Sequence, residues 1–344
     1  MPVKLAINGF GRIGRMFLRK AITQPELNIV AINARYPAET LVHLIKYDSV
    51  HGRFDGTAKA IDDQHIQVND QVITLVNARD PRELPWRQMD IDIVIEATGK
   101  FKTKETAGYH LESGAKKVII TAPAKDEDVT IVVGVNDGDY DPEHHQILSN
   151  ASCTTNCLAP VVKIIDDRFG IEGGMMTTVH AYTNDQNNID NPHKDLRRAR
   201  ACGESIIPTT TGAAKAIGKV LPHLNGKLNG LALRVPTPNV SLVDLVLDVK
   251  TPVTVDTVNE VLKEAAQTDY EGIVAFCEEP LVSVDFRTDS HSAIVDGLST
   301  MVIGDRKVKI LAWYDNEWGY SCRVVDLAVH VARHMLNKAD VKVS

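Results

Sequence analysis

The sequence predicts an α/β protein of two domains, the first built on a parallel sheet and the second an α+β domain with a mixed, largely antiparallel sheet. Three observations carry this. Short apolar runs of strand length alternate with helix-period segments through about residue 150, a glycine-rich turn separates the first run from the first helix, and strands after Ser152 alternate in side-chain character. The length of 344 residues agrees, because domains average roughly 150 residues.

Residues 3–7 form a strand-like apolar run, 9–14 interrupt it, and Phe17, Leu18, Ala21 and Ile22 recur at helical spacing. Residues 29–32 predict a second buried strand, and Leu41, Leu44 and Ile45 a helix. Further strands are expected at 91–97, 117–121 and 131–135, with a helix over about 102–113. Beyond Ser152, Ala159, Val162 and Ile165 mark a helix ending near Phe169-Gly170, and 175–179 reads as a strand. Residues 182–205 are polar and weakly periodic, a long loop of the kind that carries function in a compact domain. Residues 228–235, 241–249, 292–296, 298–303 and 307–313 are β-like. Thr254 opens one helix, and Val324, Val325, Ala328, Val329 and Ala332 mark a terminal one. The expected boundaries are 1–152 and 153–318, with a C-terminal helix over 319–344 packing back on the first domain.

Lys and Arg number 38 against 45 Asp and Glu, a formal charge of −7. Such a balance does not attract nucleic acid or anionic lipid, so no primary nucleic-acid role is expected and any anionic ligand needs a local basic pocket. No leader pattern and no apolar run of about 18 residues stands out, which predicts a cytoplasmic protein with no membrane partner. Five cysteines are too few for a disulfide scaffold. Cys153 and Cys157 lack a second Cys or His pair behind them, so no metal is expected.

Gly9-Phe10-Gly11-Arg12-Ile13-Gly14 lies between the first strand and its helix, the setting in which this spacing binds a dinucleotide in a Rossmann-type domain. Gly9 permits the turn, Gly11 lets a pyrophosphate approach the backbone, and Gly14 allows close packing of the helix. The helix amides then receive the pyrophosphate without a basic protein. The second strand ends in Asn33-Ala34-Arg35, lacking the carboxylate that an NAD-preferring site places against the ribose. Its absence removes repulsion against a 2′-phosphate, and Arg35 supplies a charge-assisted donor, so NADP is expected, alone or alongside NAD. Cys153 stands near the first turn of an apolar helix, where amides and the helix dipole stabilise a thiolate. Cys157, one turn deeper, reads as a packing residue. His180 ends the 175–179 strand and pairs with Cys153 only if the fold brings those elements together.

Segments 8–14, 46–52, 97–99, 149–157, 180–185, 197–200, 208–212, 233–236 and 313–319 resemble the phosphorylating glyceraldehyde-3-phosphate dehydrogenase family, across nearly the whole chain. The resemblance implies Cys153 as nucleophile and His180 as its base. Along the cofactor it places Asn8, Gly9, Phe10, Gly11, Arg12, Ile13 and Gly14, then Asn33, Ala34, Arg35 and Arg79, then Thr98, Gly99 and Thr121. Asn316 would hold the nicotinamide carboxamide. Thr183 and Arg234 would hold the substrate phosphate, while Ser152, Thr154, Arg198, Thr211 and Gly212 would form or line the site of the attacking phosphate.

The implied reaction converts glyceraldehyde 3-phosphate, inorganic phosphate and NAD(P)⁺ into 1,3-bisphosphoglycerate and NAD(P)H through a cysteine thiohemiacetal and thioester. The family's ribose-binding aspartate aligns with Ala34, and its usual Leu-Pro pair is Asn191-Pro192 here. Both changes resemble the NADP-accepting, gluconeogenic bacterial branch, while the retained Pro192 keeps dual use of NAD open. Erythrose-4-phosphate dehydrogenase shares the scaffold but usually alters the phosphate-holding residues, and Thr183 and Thr211-Gly212 are intact. A non-enzymatic nucleotide-binding regulator would keep the glycine turn without needing Cys153, His180 and two phosphate pockets. The resemblance further implies a homotetramer, with the 182–205 loop packed against a neighbour.

Overall fold

The computed structural model describes residues 1–341, with side chains through Leu336. The chain divides into two compact units: 1–131 with 137–151 and the residues from Ser321 onward, and 132–136 with 152–320. In the first unit the elements run β1 (Val3–Asn8), α1 (Arg12–Ala21), β2 (Leu27–Asn33), α2 (Ala38–Lys46), then a small hairpin, β3 (Tyr47–Asp48) and β4 (Gly52–Arg53). There follow β5 (Ala58–Asp62), β6 (His65–Val68), β7 (Gln71–Val76), α3 (Trp86–Met89), β8 (Ile93–Glu96), α4 (Lys104–Glu112), β9 (Lys117–Ile120), β10 (Val129–Thr130) and β11 (Ile147–Ser149).

The nine-stranded sheet has the order β10-β11-β9-β8-β1-β2-β7-β6-β5. It is parallel from β10 to β7, and β5 and β6 continue it antiparallel. Leu5, Ala6 and Ile7 of β1 are fully buried, as expected of a central strand covered on both faces. The chain passes from β1 to β2 on one side and later adds β8 on the other, so a crevice opens at the carboxyl ends of these strands. This is a Rossmann-type cofactor domain.

Two local readings need correction. The strand expected over 131–135 is displaced to Val129–Thr130. Beyond it Asn136 accepts the Val132 amide at 2.9 Å and Gly134 takes φ +83°, so a turn replaces the ladder. The sequence reading also omitted the β5–β7 excursion, although His65-Ile66-Gln67-Val68 alternates polar with apolar between the turn residues Asp62, Asp63, Asn69 and Asp70.

The second unit begins with α5 (Cys153–Phe169), whose N-cap Ser152 accepts the Thr155 amide at 3.0 Å and whose C-cap is Gly170 at φ +67°. Next come β12 (Ile171–Ala181), β13 (Ile207–Thr210), α6 (Ala213–Val220), β14 (Leu228–Val235), β15 (Ser241–Val249) and α7 (Val255–Gln267). The remaining elements are β16 (Val274–Cys277), β17 (Ala293–Asp296), β18 (Met301–Ile303), β19 (Lys307–Tyr314) and α8 (Trp318–Val341), which continues into the first unit. Sheet order is β13-β14-β12-β15-β19-β17-β16, with β18 on β19. Only β12/β14 and β16/β17 are parallel, so the sheet is mixed and largely antiparallel.

Strict burial alternation along β15 explains why it was legible. Between Gly297 and Ser299 a 3₁₀ turn shortens the strand expected over 298–303. Residues 182–205 form no helix or strand beyond an isolated bridge between Asn187 and Ala201.

Asp48, after α2, ties the glycine turn to the following hairpin. Burial alone raises its carboxyl, but two Arg12 bonds, one of 3.0 Å, and the Val50 and His51 amides hold it well below the ordinary carboxylate range. A carboxyl depressed by folding stabilises fully above its unfolded value, about 4, and loses that stability as pH falls toward the folded value. Asp48→Asn should therefore lower Tm at pH 7, with the gap to the parent narrowing below about pH 4. Thermal scans across pH check this; a Tm equal to the parent at pH 7 would refute it.

Candidate active site

Cys153 is the first residue of α5, and its Sγ lies 3.5 Å from Nε2 of His180, the penultimate residue of β12. Folding therefore joins two groups that are 27 residues apart. Burial pushes the thiol up, while the positive charge of Arg234 and hydrogen bonds at Thr154 act in the opposite direction. Burial, and then Arg234, push His180 down to about 3, so the imidazole is neutral at pH 7. Cys157 is fully buried, with Sγ 3.8 Å from the Ala312 carbonyl, and burial holds its thiol well above the ordinary value.

Parallel pairing of β12 with β14 sets Arg234 directly across from His180. Arg234 Nη1 lies 2.7 Å from His180 Nδ1 and donates to the Ala181 carbonyl at 3.0 Å; that carbonyl is also 2.7 Å from Nδ1. Nδ1 thus faces both an acceptor and a donor. With its hydrogen toward Ala181, Nε2 is a base aimed at the sulfur; with Arg234 donating instead, Nε2–H is an acid aimed the same way. Arg234 Nε is buried without a partner, which leaves a guanidinium donor suited to an anion.

The other predicted phosphate residues take separate places in this unit. Arg198 pairs with Asp185 and, at 3.4 Å, with Asp195, and the charge of Arg234 acts upon it. Thr183 follows β12, where its amide donates to Gln186 at 2.9 Å. Thr211 Oγ1 accepts the Ala213 amide at 3.2 Å, and Gly212 is the N-cap of α6. Asn316 is 5% exposed and accepts the Ser241 hydroxyl at 2.8 Å through Oδ1, which leaves its amide nitrogen to donate elsewhere.

Sequence reading missed Tyr314. It is 1% exposed, with its hydroxyl 2.9 Å from Thr154 Oγ1 and 2.8 Å from Thr178 Oγ1, and its ring meets His180 edge-on at 5.9 Å. An aromatic at the end of a strand predicted in the sequence was the available signal.

In the first unit a cleft of about 600 Å³ opens at the carboxyl ends of β1, β2 and β8. Asn8, Gly9, Phe10, Gly11, Asn33, Ala34, Arg35, Arg79 and Thr98 of the predicted set line it, as do Arg15 and Lys100, which the sequence reading did not select. Arg12 instead holds Asp48, Thr121 donates its hydroxyl to the Glu96 carbonyl at 3.1 Å, and Ile13, Gly14 and Gly99 lie outside the lining.

The glycines test whether a dinucleotide fits. Gly9 has φ +96°, and a Cβ on Gly14 would lie 2.2 Å from the Gly9 carbonyl oxygen, so protein geometry demands both. A Cβ on Gly11 meets no protein atom within 4 Å. That open space in the cleft lining suits the approach of a pyrophosphate to the start of α1.

A Rossmann-type domain that binds NAD(P), joined to a mixed-sheet domain bearing the cysteine, defines an NAD(P)-dependent phosphorylating aldehyde dehydrogenase. Residues 3–104 match the family model described as glyceraldehyde 3-phosphate dehydrogenase, NAD binding domain, and 152–316 match that of the C-terminal domain. Glyceraldehyde-3-phosphate dehydrogenase 2 of Bacillus subtilis (strain 168) is 67% identical over 341 residues, 99% of this chain and 100% of the relative. Glyceraldehyde-3-phosphate dehydrogenase of Geobacillus stearothermophilus is 58% identical over 332 residues, 96% of this chain and 99% of the relative. The chain belongs to the glyceraldehyde-3-phosphate dehydrogenase family and carries out its phosphorylating reaction through a catalytic cysteine.

Tyr314→Phe removes two buried hydrogen bonds while keeping the ring against His180. We expect a stability loss of about 1–3 kcal/mol, since both threonine hydroxyls lose a partner, and a lower kcat with little change in substrate KM. Denaturant titration and steady-state kinetics check both; an unchanged midpoint would count against this packing role.

Proposed function

We propose that Cys153, His180 and Arg234 form the reacting centre, with glyceraldehyde 3-phosphate as substrate and NADP preferred in the reductive, gluconeogenic direction. The observation that carries the assignment is the group itself: a thiol at a helix start, an imidazole at 3.5 Å, and a guanidinium with a buried, unpartnered donor.

The neutral His180 takes the Cys153 proton, the sulfur attacks the aldehyde carbon, and the proton passes from His180 to the new oxyanion to give a thiohemiacetal, which leaves the imidazole neutral again. His180 then removes the hydroxyl proton as hydride leaves carbon, and the thioester remains. Bound nicotinamide supplies the hydride acceptor. Inorganic phosphate attacks the thioester, releasing 1,3-bisphosphoglycerate and the thiol. The Cys153 amide and Nε2–H of His180 face the developing oxyanion at both tetrahedral stages. In this reading Arg234 and Thr183 hold the substrate phosphate, and Ser152, Thr154, Arg198, Thr211 and Gly212 serve the attacking one. Asn316 donates to the nicotinamide carboxamide.

NADP use is supported by the lining of the cleft: Arg15, Arg35, Arg79 and Lys100, with no Asp or Glu. A 2′-phosphate there meets cations and no carboxylate. Thr183 and Thr211-Gly212, unaltered in sequence, favour the three-carbon substrate over the alternative reading of an erythrose-4-phosphate dehydrogenase. We assign the protein to the cytoplasm; among the described residues no helix is long and apolar enough to cross a membrane. A homotetramer is supported by apolar side chains in and beside the 182–205 loop, Ile189 at 77% and Leu196 at 81% exposure with Ile206 nearby in sequence.

Matched kinetics with NAD and NADP in both directions, on glyceraldehyde 3-phosphate and erythrose 4-phosphate, test the assignment. We expect a higher kcat/KM with NADP and with the three-carbon substrate, and a selective loss of NADP use in Arg35→Glu. Efficient NAD use with NADP essentially excluded would overturn the cofactor reading.

A further inference from the structure

Beneath the cofactor cleft lies a buried polar group whose hydrogen-bond directions are all determined. Glu96 ends β8 and is 1% exposed, and among the described residues no lysine or arginine pairs with it. At one end of the group, the Ala78 amide can only donate and its carbonyl only accept. Asn33 therefore turns Oδ1 to that amide (3.0 Å) and Nδ2 to that carbonyl (2.9 Å), and gives its second hydrogen to Asn8 Oδ1 (2.7 Å). Asn8 must then present Nδ2 to Glu96 Oε2, at 2.5 Å.

At the other end the Trp86 indole can only donate, to His110 Nδ1 at 3.0 Å. The imidazole accordingly carries its hydrogen on Nε2 and donates it to Glu96 Oε2 at 3.1 Å. The other carboxylate oxygen accepts the Thr98 amide at 2.8 Å and the Thr98 hydroxyl, which itself accepts the Lys100 amide at 3.1 Å. Four donors thus converge on one carboxylate that no cation neutralises.

Such a group is costly to bury, and stability alone is weak reason to keep one. Its position suggests another reason. Asn8, Asn33, Thr98 and Lys100 all line the cleft, and a Cβ on Gly9 would come within 2.7–2.9 Å of Thr98 and Ala97, so the glycine turn packs directly on the segment Glu96 holds. Both Asn33 hydrogens are spent inside the protein, so its side chain offers a ligand only an acceptor.

We propose that Glu96 is a positioning residue for cofactor affinity, fixing from below the Asn8 and Asn33 amides and the Thr98 segment in the arrangement that the cleft presents to the dinucleotide. This rests on the cleft as read above. A glutamine at this position would set its NH₂ either against the Asn8 and His110 donors or against the Thr98 amide, where only the Thr98 hydroxyl can turn to accept it, so the group loses at least one of its present hydrogen bonds either way.

The test uses the full-length protein. Glu96→Gln should raise Kd for both NADP and NAD by about tenfold or more in titration calorimetry, as expected for losing a buried charged acceptor. The rate of Cys153 alkylation by iodoacetamide without cofactor should stay within about twofold, because that group lies in the other unit and shares no partner with Glu96. A purely structural role would instead reduce the titratable active fraction while the surviving molecules kept the parent Kd. His110→Leu, at a residue outside the lining, removes the imidazole donor without supplying another and should shift Kd in the same direction.

Parent Kd values in whichever of the two variants folds overturn the proposal. Gly11→Asp separates the underlying reading, since its Cβ meets only open space and its carboxylate enters the cleft. Normal cofactor binding in Gly11→Asp refutes the cleft itself. Lost binding there, beside parent Kd in Glu96→Gln, removes only the role of Glu96.

Discussion

The parallel register of β12 on β14 is the constraint on which the reacting group depends. It sets His180 beside Arg234 and Val179 beside Leu233. Side chains alternate across a sheet, so a slip of one residue would carry one member of the pair to the opposite face. The start of α5 then brings the sulfur to Nε2, and Tyr314 at the end of β19 bonds across to both Thr154 of the helix and Thr178 of β12. Three strands and one helix terminus thus hold an imidazole whose two nitrogens do different work.

Electrostatics in this unit are local. The chain carries a formal charge of −7, yet among the described residues no carboxylate pairs with Arg234, which affects both reacting groups, opposing the rise of the thiol and adding to the fall of the imidazole. Burial magnifies these effects because water is not there to screen them. Arg198, by contrast, is shared between Asp185 and Asp195, so the two arginines differ in how freely they can turn to an anion. That difference is invisible in a count of basic residues.

The cofactor unit handles charge another way. Its cleft presents cations at the rim and backbone amides at the glycine turn, while its floor is organised around a single buried carboxylate. Arg12, adjacent to the turn, is committed to Asp48 and so braces the loop from outside. The apolar core beneath, including Ala6, Ala31, Trp86, Ile91 and Val94, lets the indole of Trp86 serve packing and hydrogen bonding together.

Local pattern alone determined the strand, glycine turn and helix at the start of the chain, the helix that carries Cys153, and the long strands whose burial alternates. Each of these is written in neighbouring residues: turn chemistry, capping, and periods of two or 3.6. β13, α6 and β16 were not legible from neighbouring residues alone; at β13, for one, Pro208 argues against a strand. The same limit displaced the strand expected over 131–135, where one asparagine side chain decided the backbone. Only tertiary structure decided that Asn33 spends its hydrogens inward, that Arg12 faces Asp48, that Tyr314 stands against His180, and that Glu96 lies under the cleft. Those facts depend on groups separated by up to 160 residues meeting at hydrogen-bond distance, as Thr154 meets Tyr314. No local propensity encodes such a meeting; it exists only once the sheets have closed.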